Sequence, residues 1–474
     1  MDDINFLRFL TIERDISNIE NSMAQGLYAG ISLKKAQSFV DAFVRSRKMG
    51  RVPRDLHLYI HVPFCATLCS YCHCSRIRLV SRAQVDSYQR LLKRQIKAFA
   101  GHIRDIPIAS LFLGGGTPSL LPVEVLTWLF TEVYQHFSLV SGAQVNVEVN
   151  PASLTRDKVH VFGQNRVNRI TVGVQALDQG VLKLMGRPQT EQQVCDAVDM
   201  VKQLKGVALN IDLVAGLPGH SVASFMQGLK KVIAMAPDII HINPFCHIEQ
   251  SIYYRKNSPV PLIEIFRNRY HMLREAHGLL EAHAYGVKDF EAYHRRDHVK
   301  NQQQFGVIKQ ADSVLGLGPY AHSRFFGVGA FCAGLSCEKS LGIRYRGKVM
   351  DAHFHMAEYL IMNLPGGVKD SDFERVFEVS LKDVFGIEMD LLLQRKIIVR
   401  RKGYWIYAGP WTMEGLFEYF AQVKVLYGAG ILGALQKKYH ARYRPGYVYG
   451  FDRVAFMKKM QDSVFMLVLS RLGF

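Results

Sequence analysis

The chain has 474 residues, of which 49% are hydrophobic and 21% charged, a composition that supports a large buried core and excludes a mainly disordered protein. Its formal net charge of +18 favours anionic partners. No apolar run approaches the roughly 20 residues of a membrane-spanning helix, and the acidic first residues are not typical of a signal peptide. We therefore expect a cytoplasmic protein without a membrane span.

The first part of the chain, residues 1–50, is predicted to be a helical extension. From residue 51 to 345, short apolar runs alternate with amphipathic stretches whose apolar residues recur every three to four positions, which is typical of βα units around a parallel sheet. The six predicted strands are LHLYIHV, IASLFLGG, QVNVEVNP, RITVGVQ, VALNIDLVAGLP and IIHINPF. Six such units predict an α/β fold, a partial (β/α)6-type barrel, in which chemistry collects at the carboxyl ends of the strands.

The pattern changes after the barrel. Residues 346–423 contain helical segments followed by the hairpin candidate KIIVRRKGYWIYA, which predicts a winged-helix-like domain with a packing role rather than a DNA-binding one. Residues 424–474 form a basic extension that mixes Lys and Arg with tyrosines, a mixture that can bind nucleic acid. Its apolar residues suit docking on the rest of the fold equally well, so nucleic acid is not an expected partner.

Four of the eight cysteines lie in one short stretch, CATLCSYCHC, directly after the first predicted strand. The other four are scattered, which does not indicate a disulfide framework. The spacing Cys65-x3-Cys69-x2-Cys72 fits neither the paired hooks of zinc sites nor the ferredoxin pattern. Three thiolates on one loop can hold three irons of a 4Fe-4S cube and leave the fourth iron open, as a catalytic metal site requires.

The CX3CX2C spacing after a first barrel strand resembles the signature of radical S-adenosylmethionine (SAM) enzymes. The resemblance implies that Cys65, Cys69 and Cys72 bind a 4Fe-4S cluster and that the amino and carboxylate groups of SAM chelate the fourth iron. One electron from the cluster then releases a 5′-deoxyadenosyl radical that abstracts hydrogen. A reducing donor of the flavodoxin or ferredoxin type is implied as a partner.

A closer resemblance is to the oxygen-independent coproporphyrinogen III dehydrogenase family. LYIHVPFCATLCSYCHC is similar to the family's opening motif in its tyrosine, Tyr59, its aromatic residue beside the last ligand, Tyr71, and its fourth cysteine, Cys74. LFLGGGTPSLL, VEVNP, NRITVGVQAL, NIDLVAGLPG and VLGLGPYAHS follow in the family's order. The resemblance covers about residues 56–327, and the wider group also contains heme chaperones and radical methyltransferases.

Two of these motifs carry a physical expectation of their own. Gly114, Gly115 and Gly116 end a predicted strand, where glycines let the backbone approach a ligand and offer amides or carbonyls to the methionyl amino group of SAM. Glu148 ends another strand and is costly to bury unless it meets a cation or hydroxyl groups. In the family, the matching glutamate helps to bind SAM.

The resemblance implies further SAM contacts. Arg187 is suited to a carboxylate, Asp212 to ribose hydroxyls or an amino group, and Gln175 matches a third contact position. The family can hold one or two SAM molecules, and Tyr59, Gln175 and Asp212 are expected near the second. The other predicted cofactor-binding residues are Tyr71, Gly115, Gly116, Thr117, Glu148 and Cys246; Tyr59 and Cys74 are the predicted catalytic residues. His247 and His322 are more typical of hydrogen-bonded structural histidines.

Three departures from the dehydrogenase pattern keep the substrate open. Residues 1–55 lack the family's Arg-Tyr-Thr-Ser-Tyr-Pro-like segment, and both His322 in PYAHS and Asn150 in VEVNP are closer to the heme-chaperone branch. Cys74 favours the dehydrogenase branch instead.

The favoured hypothesis is an oxidoreductase that removes hydrogen and carbon dioxide from a propionate side chain of an anionic, porphyrinogen-like tetrapyrrole and leaves a vinyl group. A radical methyltransferase that uses the second SAM as donor is one alternative. The other is a heme-binding and transfer protein in which the cluster has an ancillary role.

Overall fold

The computed structural model describes residues 29–48, 55–245, 251–257, 262–289, 292–296, 312–337, 342–349, 356, 359–360, 363–364, 367–394 and 398–407. These residues build one large mixed sheet with helices packed against it, and two small sheets of three and two strands. The strands are β1 Ala29–Ile31, β2 Leu56–Val62, β3 Phe64–Cys65, β4 Ile77–Arg78, β5 Ile108–Gly115, β6 Leu139–Val149, β7 Arg169–Gln175, β8 Ala208–Ala215, β9 Ile239–Pro244, β10 Tyr285–Asp289, β11 Ala292–Arg295, β12 Ser313–Leu317, β13 His322–Phe325, β14 Gly329–Cys337, β15 Gly342–Val349, β16 Val368–Lys369, β17 Ile398–Arg401 and β18 Tyr404–Tyr407. The helices are α1 Leu33–Lys48, α2 Arg82–Ala100, α3 Val123–His136, α4 Arg156–Gln164, α5 Gln179–Leu184, α6 Glu191–Lys202, α7 Val222–Ala234, α8 Ile252–Asn257, α9 Leu262–Ala282, α10 Asp370–Phe377 and α11 Leu381–Gln394.

The centre of the large sheet is parallel and runs in the order β12-β2-β5-β6-β7-β8-β9. The six predicted strands are all present, so the prediction of an α/β fold with a parallel sheet is confirmed. β12 is a seventh parallel strand that the sequence analysis did not identify, and it places Leu315 beside Leu58 of β2. Among the described helices, none is long and apolar enough to cross a membrane.

Antiparallel ribbons extend the parallel centre at both edges. On one side β13, β14, β15 and β1 follow β12, and on the other β11 and β10 follow β9. The described part of the predicted helical extension therefore contains a strand, β1, in which Gly30 pairs with Arg346. Helix α1 follows it and buries Phe43 against Phe325, with ring centroids 5.5 Å apart.

Several helices between the parallel strands begin where a side chain accepts from a free backbone amide of the first turn. At the start of α6, the Gln193 amide donates to Thr190 Oγ1 (3.2 Å) and the Thr190 amide donates to Gln193 Oε1 (2.9 Å), which is a capping box. The short helix α5, which was not predicted, begins at Asp178, whose carboxylate accepts from the Val181 amide at 3.0 Å. This helix brings Met185 and Arg187 to the carboxyl edge of the sheet.

The two faces of the parallel strands differ in polarity. Residues of one face join the helices in a single apolar core, for example Val147 of β6, Val172 of β7 and Ile211 of β8. The alternate residues on the opposite face are polar and hydrogen-bond to one another across strands, as between Thr171 and Asn146 at 3.2 Å. The polar face offers binding groups where a packed barrel would have apolar side chains.

The C-terminal described residues form two helices, α10 and α11, and the small sheet in the order β16-β18-β17. The predicted hairpin is present as β17 and β18. Phe377 of α10 packs against Phe326, with ring centroids 5.6 Å apart, so this region contacts the end of β13. The winged-helix-like assignment and the domain boundaries stay predictions, and residues 1–28 and 408–474, including the basic extension, lie outside the described residues.

Gly318 provides a test of the packing between the first strand and the β12–β13 turn. It has φ +102°, and a Cβ there would lie 2.3 Å from the carbonyl oxygen of His61. We expect Gly318→Ala to lower the free energy of unfolding by at least about 3 kcal/mol, because strain adds to a backbone clash.

The matched control is Gly327→Ala, where φ is +72° and no atom lies within 4 Å of the added Cβ. Strain alone predicts a loss of about 1 kcal/mol there. Urea denaturation followed by circular dichroism compares the two variants, and equal losses would contradict the close packing described for Gly318.

Candidate functional site

The cysteine-bearing stretch is a loop that is closed at its base by two short strands. β3 and β4 pair in parallel, with Cys65 opposite Arg78. The Ile77 amide donates to the Pro63 carbonyl at 2.7 Å, and the Leu79 amide donates to the Cys65 carbonyl at 3.0 Å. The loop therefore leaves and returns at the carboxyl end of β2, where a parallel α/β sheet places its chemistry.

The four thiols of the loop differ in exposure. Cys65 and Cys69 are buried, Cys72 is half-buried and Cys74 is exposed. Burial raises the pKa of Cys65, and the nearby Cys72 and Cys69 thiols raise it further, so these three thiols lie close enough to interact. Hydrogen bonding with the Cys74 thiol lowers the pKa of Cys72 to about 6, while the same bond raises the pKa of Cys74.

Arg76 holds the loop in this shape. Its guanidinium donates to the carbonyl of Cys74 at 2.8 Å and to the carbonyl of Cys69 at 2.9 Å. It also lies near the Cys65 and Cys72 thiols, where its charge lowers their pKa. The sequence analysis did not identify this residue, because a single arginine beside a cysteine motif has no pattern of its own.

Two polar groups from other segments are directed at the cysteine sulfurs. The Thr117 hydroxyl donates to Cys65 Sγ at 3.6 Å. Arg187 donates to Cys69 Sγ at 3.9 Å and to the Gly173 carbonyl, and its Nε donates to Gln189 Oε1 at 3.1 Å. Gln189, another residue that the sequence analysis missed, donates in turn to the Val174 carbonyl at 2.9 Å and fixes Arg187 at the end of β7.

The donor set fits a 4Fe-4S cluster. Across the described residues, no three His, Cys, Asp or Glu side chains converge to hold one metal ion together. A cubane does not need such convergence, because its three thiolates bind three different irons. Three interacting thiols, with a hydroxyl and a guanidinium directed at two of the sulfurs, are the ligands and outer hydrogen-bond donors that such a cluster takes.

Protein atoms around the triple glycine leave no room for a side chain. A Cβ on Gly115, which has φ +110°, would lie 2.6 Å from the His61 ring, and one on Gly116 would lie 2.6 Å from the Phe64 carbonyl oxygen. The Gly115 amide donates to Glu148 Oε2 at 3.1 Å and the Gly116 amide to the Val62 carbonyl at 2.7 Å. These two amides are thus already engaged within the protein.

Glu148 is half-buried on the polar face at the end of β6. Burial and the neighbouring Asp212 carboxylate raise its pKa to about 8, against the opposing effects of the Gly115 amide and His241. The ligand-free protein therefore holds Glu148 largely protonated at pH 7, and a cation or hydroxyl donor beside it would favour the carboxylate.

Asp212 belongs to a hydrogen-bonded row that crosses three strands. Asn210 Nδ2 donates to Asp212 Oδ1 at 2.8 Å and to Thr171 Oγ1 at 3.2 Å. His241 Nδ1 lies 3.5 Å from Asp212 Oδ1. The row places the Asp212 carboxylate on the same polar face as Glu148, close enough for the two charges to interact.

Arg169 is a buried cation on this face that the sequence analysis did not identify. Its side chain is 8% exposed and its Nε has no hydrogen-bond partner among the described residues. Burial lowers its pKa, and the charges of Asp212 and Glu148 oppose that change. The positive charge of Arg169 therefore compensates part of the negative charge of these two carboxyl groups.

Gln175 stands at the end of β7 in a strained backbone conformation, with φ +70°. The pairing of β7 with β8 shifts register between Gly173 and Gln175. Strain of this kind costs about 1–3 kcal/mol and is concentrated at functional sites, so the observation supports a binding role for Gln175.

Tyr59 and His61 connect the first strand to the cysteine loop. His61 Nε2 lies 2.8 Å from the Ser75 carbonyl, which can only accept, so Nε2 carries the proton and Nδ1 accepts from the Tyr59 hydroxyl at 2.9 Å. Burial lowers the pKa of His61 to about 4, which keeps the ring neutral, and burial raises the pKa of Tyr59. Glu148 and Cys74 lie near the Tyr59 hydroxyl.

The remaining predicted residues are spread more widely. Tyr71 packs against a second apolar cluster around Met185 and Phe245. His322 is exposed on β13, near enough to His61 to help lower its pKa. Cys246 and His247 lie outside the described residues. The structure thus brings the predicted residues Tyr59, Cys65, Cys69, Cys72, Cys74, Gly115, Gly116, Thr117, Glu148, Gln175, Arg187 and Asp212 to the carboxyl end of one sheet.

Comparison with known proteins gives a family for the centre of the chain. Residues 59–232 match the model of the Radical SAM superfamily. The chain is 33% identical over 213 residues to the oxygen-independent coproporphyrinogen III oxidase of Bradyrhizobium diazoefficiens, a match that covers 44% of this chain and 47% of that protein. It is 24% identical to the heme chaperone HemW of Lactococcus lactis, over 72% of this chain and 90% of that protein.

The fold has a solved relative. The structure described as coproporphyrinogen III oxidase (HemN) from Escherichia coli, a radical SAM enzyme, aligns with a TM-score of 0.68 at 22% identity and covers 82% of this chain and 93% of that one. At this identity the likeness shows the fold alone. The sequence matches to the Bradyrhizobium protein and to its Synechocystis counterpart span less than half of those relatives' lengths, 47% and 42%.

Arg76 allows a test of the loop geometry. Replacing it in Arg76→Met removes the donors to the Cys69 and Cys74 carbonyls, so the loop opens and we expect iodoacetamide to alkylate the buried Cys69 several-fold faster in the metal-free protein. Mass spectrometry of the cysteine peptide measures the rate. Arg78→Met, an exposed change on the neighbouring strand β4, is the control. Equal rates in the two variants would contradict the role of Arg76.

Glu148 predicts a pH dependence of stability. Its pKa is about 8 in the folded protein and 4.5 in the unfolded chain, so the folded state binds more protons between these values and loses stability as pH rises through them. Glu148→Gln removes this loss. The unfolding free energy of the variant relative to the parent should therefore increase from pH 5 to pH 8.5, as measured by urea denaturation at several pH values. A constant difference over that range would show that the carboxyl group is not held protonated.

Proposed function

We propose that this chain, whose residues 59–232 are a radical SAM domain, binds a 4Fe-4S cluster through Cys65, Cys69 and Cys72 and acts as an oxidoreductase on a tetrapyrrole. The most specific form of the proposal is the oxygen-independent oxidative decarboxylation of coproporphyrinogen III to protoporphyrinogen IX. The observation that carries it is the closed cysteine loop at the carboxyl edge of the sheet, with Thr117 and Arg187 directed at its sulfurs. The names of the relatives support the substrate.

When bound, the cluster and SAM supply one-electron cleavage of the sulfonium and a 5′-deoxyadenosyl radical that removes hydrogen. The protein's part begins with positioning. Arg76 and the β3–β4 pair fix the shape of the loop that carries the three thiols, and Arg187 and Thr117 place hydrogen-bond donors beside two sulfurs. Such donors stabilise thiolates and tune a cluster's potential.

The polar face supplies the groups that would hold SAM. Glu148 is available to an amino group, and Asp212 is available to ribose hydroxyls. Gln175 lies at the same edge of the sheet. We propose that one SAM molecule binds at these residues. If the chain binds two SAM molecules, the second would lie beside Tyr59.

Tyr59 and Cys74 are the proposed groups nearest to the reacting part of the substrate. The neutral His61 ring accepts from the Tyr59 hydroxyl and so fixes its orientation. Cys74 is exposed and its pKa is raised, so it stays a neutral thiol that can donate hydrogen or a proton. It is not proposed as a ligand, because a fourth thiolate would close the position that SAM needs.

Heme binding and transfer is the second candidate. The match to the heme chaperone HemW covers 90% of that protein, far more than the matches to the oxidases cover of theirs. Asn150 and the exposed His322 agree with that branch. In this alternative the cluster would be ancillary to a heme site.

An anaerobic assay separates the two candidates. Reconstituted protein is incubated with SAM, a reductant and coproporphyrinogen III. Vinyl product together with 5′-deoxyadenosine supports the decarboxylase, and S-adenosylhomocysteine with a methylated product would indicate a methyltransferase. Tight heme binding without either nucleoside product would support heme transfer and overturn the proposed activity.

The ligand assignment predicts the behaviour of cysteine variants. Cys65→Ala, Cys69→Ala and Cys72→Ala should each lose the brown 4Fe-4S absorption and most bound iron after anaerobic reconstitution, whereas Cys74→Ala should keep both. Cys195→Ala, outside the loop, is the control for general loss of fold. If Cys74→Ala lost the cluster while the control Cys195→Ala kept it, Cys74 would be a ligand and the assignment would be wrong.

A further inference from the structure

Two exposed segments flank the cysteine loop and combine basic with apolar side chains. We propose that they form the docking surface for an acidic, flavodoxin-type electron carrier. The inference rests on the proposed function, since a carrier is needed only if the loop holds a redox centre. It adds the place where the carrier binds and the residues that bind it.

Both segments are attached to the same loop residue, Ser70. The Ser70 amide donates to the Met185 carbonyl at 2.8 Å, at the end of α5. The Ser70 carbonyl accepts from the Tyr253 amide at 2.9 Å, in α8. Because Ser70 lies directly after Cys69 in the chain, the surface formed by α5 and α8 borders the candidate cluster ligands.

We define the loop-flanking patch as five exposed residues of the cysteine loop, α5 and α8: Leu68, Lys183, Leu184, Arg255 and Lys256. Leu68 and Leu184 are 36% and 55% exposed, and they are two of the seven large apolar side chains that are exposed among the described residues. Exposed apolar side chains that lie together with polar or charged ones are typical of a protein-binding surface.

The basic residues of the patch have no acidic partners among the described residues. Some other exposed cations are paired, such as Lys231 with Glu191 at 2.7 Å and Arg400 with Asp370 at 2.6 Å. Lys183, Arg255 and Lys256 form no such ion pair in the part of the chain that the structure describes. Their charge is therefore available to an acidic partner, and it would speed the association of that partner.

The position and chemistry of the patch favour a flavin carrier. A partner docked there would lie beside Ser70, the residue that directly follows the candidate ligand Cys69. The apolar pair Leu68 and Leu184 suits the apolar edge of a flavin ring, and the cations suit carboxylates around it. In the step that docking allows, the carrier's anionic flavin hydroquinone gives up one electron and becomes the neutral semiquinone, and the cluster accepts that electron, with no proton or bond transferred.

A second exposed basic surface supplies a matched control. Arg90, Arg94 and Lys97 project from α2, and Arg94 and Lys97 lie about 20 Å or more along the helix from Ser81, the residue before its first turn. They carry the same number of charges as the patch but have no contact with the cysteine loop. A partner drawn only by net charge would use both surfaces.

The test compares two triple variants of the full chain. The patch variant is Lys183→Glu/Arg255→Glu/Lys256→Glu and the control variant is Arg90→Glu/Arg94→Glu/Lys97→Glu. The first readout is binding of an acidic flavodoxin to the metal-free protein by calorimetry at two salt concentrations. We expect the patch variant to bind at least tenfold more weakly and to lose most of the salt dependence, while the control variant stays within twofold of the parent. Equal weakening in both variants would overturn the proposal.

The second readout separates this inference from the proposed function. Formation of 5′-deoxyadenosine is measured in reconstituted protein with reduced flavodoxin and, in parallel, with dithionite. The patch variant should lose at least tenfold with flavodoxin and keep the parent rate with dithionite. If the parent protein formed no 5′-deoxyadenosine with dithionite, the result would count against the proposed function. The calorimetric binding data would still decide whether the patch is the docking surface. Turnover with reduced ferredoxin but not with flavodoxin, equally sensitive to the patch variant, would overturn the choice of a flavin carrier.

Discussion

A buried, neutral imidazole joins the parts of the candidate site. His61 stands at the end of the first parallel strand, donates to the Ser75 carbonyl at the far end of the cysteine loop, and accepts from Tyr59 on its own strand. Two glycines make room for it, because a Cβ on Gly115 or Gly318 would collide with its ring or its carbonyl oxygen. The glycine motif, the cysteine loop and the turn after β12 are therefore fixed relative to one another by contact with one residue.

One face of the parallel strands carries polar and charged side chains, whereas the other face packs in the apolar core. Glu148, Asp212 and Arg169 bring three ionisable groups together with amides and hydroxyls, at the cost of the apolar burial that a filled barrel would gain. The pKa of Glu148 is raised, and the Nε of Arg169 has no hydrogen-bond partner among the described residues, so the described groups of this face do not fully satisfy one another. A polar ligand that supplies an amino group, hydroxyls or carboxylates would satisfy them, which agrees with the proposed binding of SAM along this edge.

The regular part of the fold was predictable because its signals are local. Six strands and the helices between them follow from apolar periodicity, and the cysteine loop follows from spacing alone. β12, the antiparallel ribbons and α5 were missed because their pairing or packing partners are distant in the chain, as with Leu315 beside Leu58. His61, Arg76 and Arg169 were missed for a related reason, since a single polar residue gains its role only from the segments that surround it. The glycines were predicted to make room for a ligand, and the structure shows that they first make room for His61 and the Phe64 backbone.

The central claim is that three cysteines leave one iron open for SAM. Electron–nuclear double resonance on the reduced, reconstituted protein with SAM labelled with 15N at its amino group tests that claim most directly. The account predicts a strong coupling between the cluster and the labelled nitrogen, present in the parent protein and retained in Cys74→Ala. A reduced cluster that shows no coupling to the label would mean that the fourth iron is not open to SAM, and it would contradict the account.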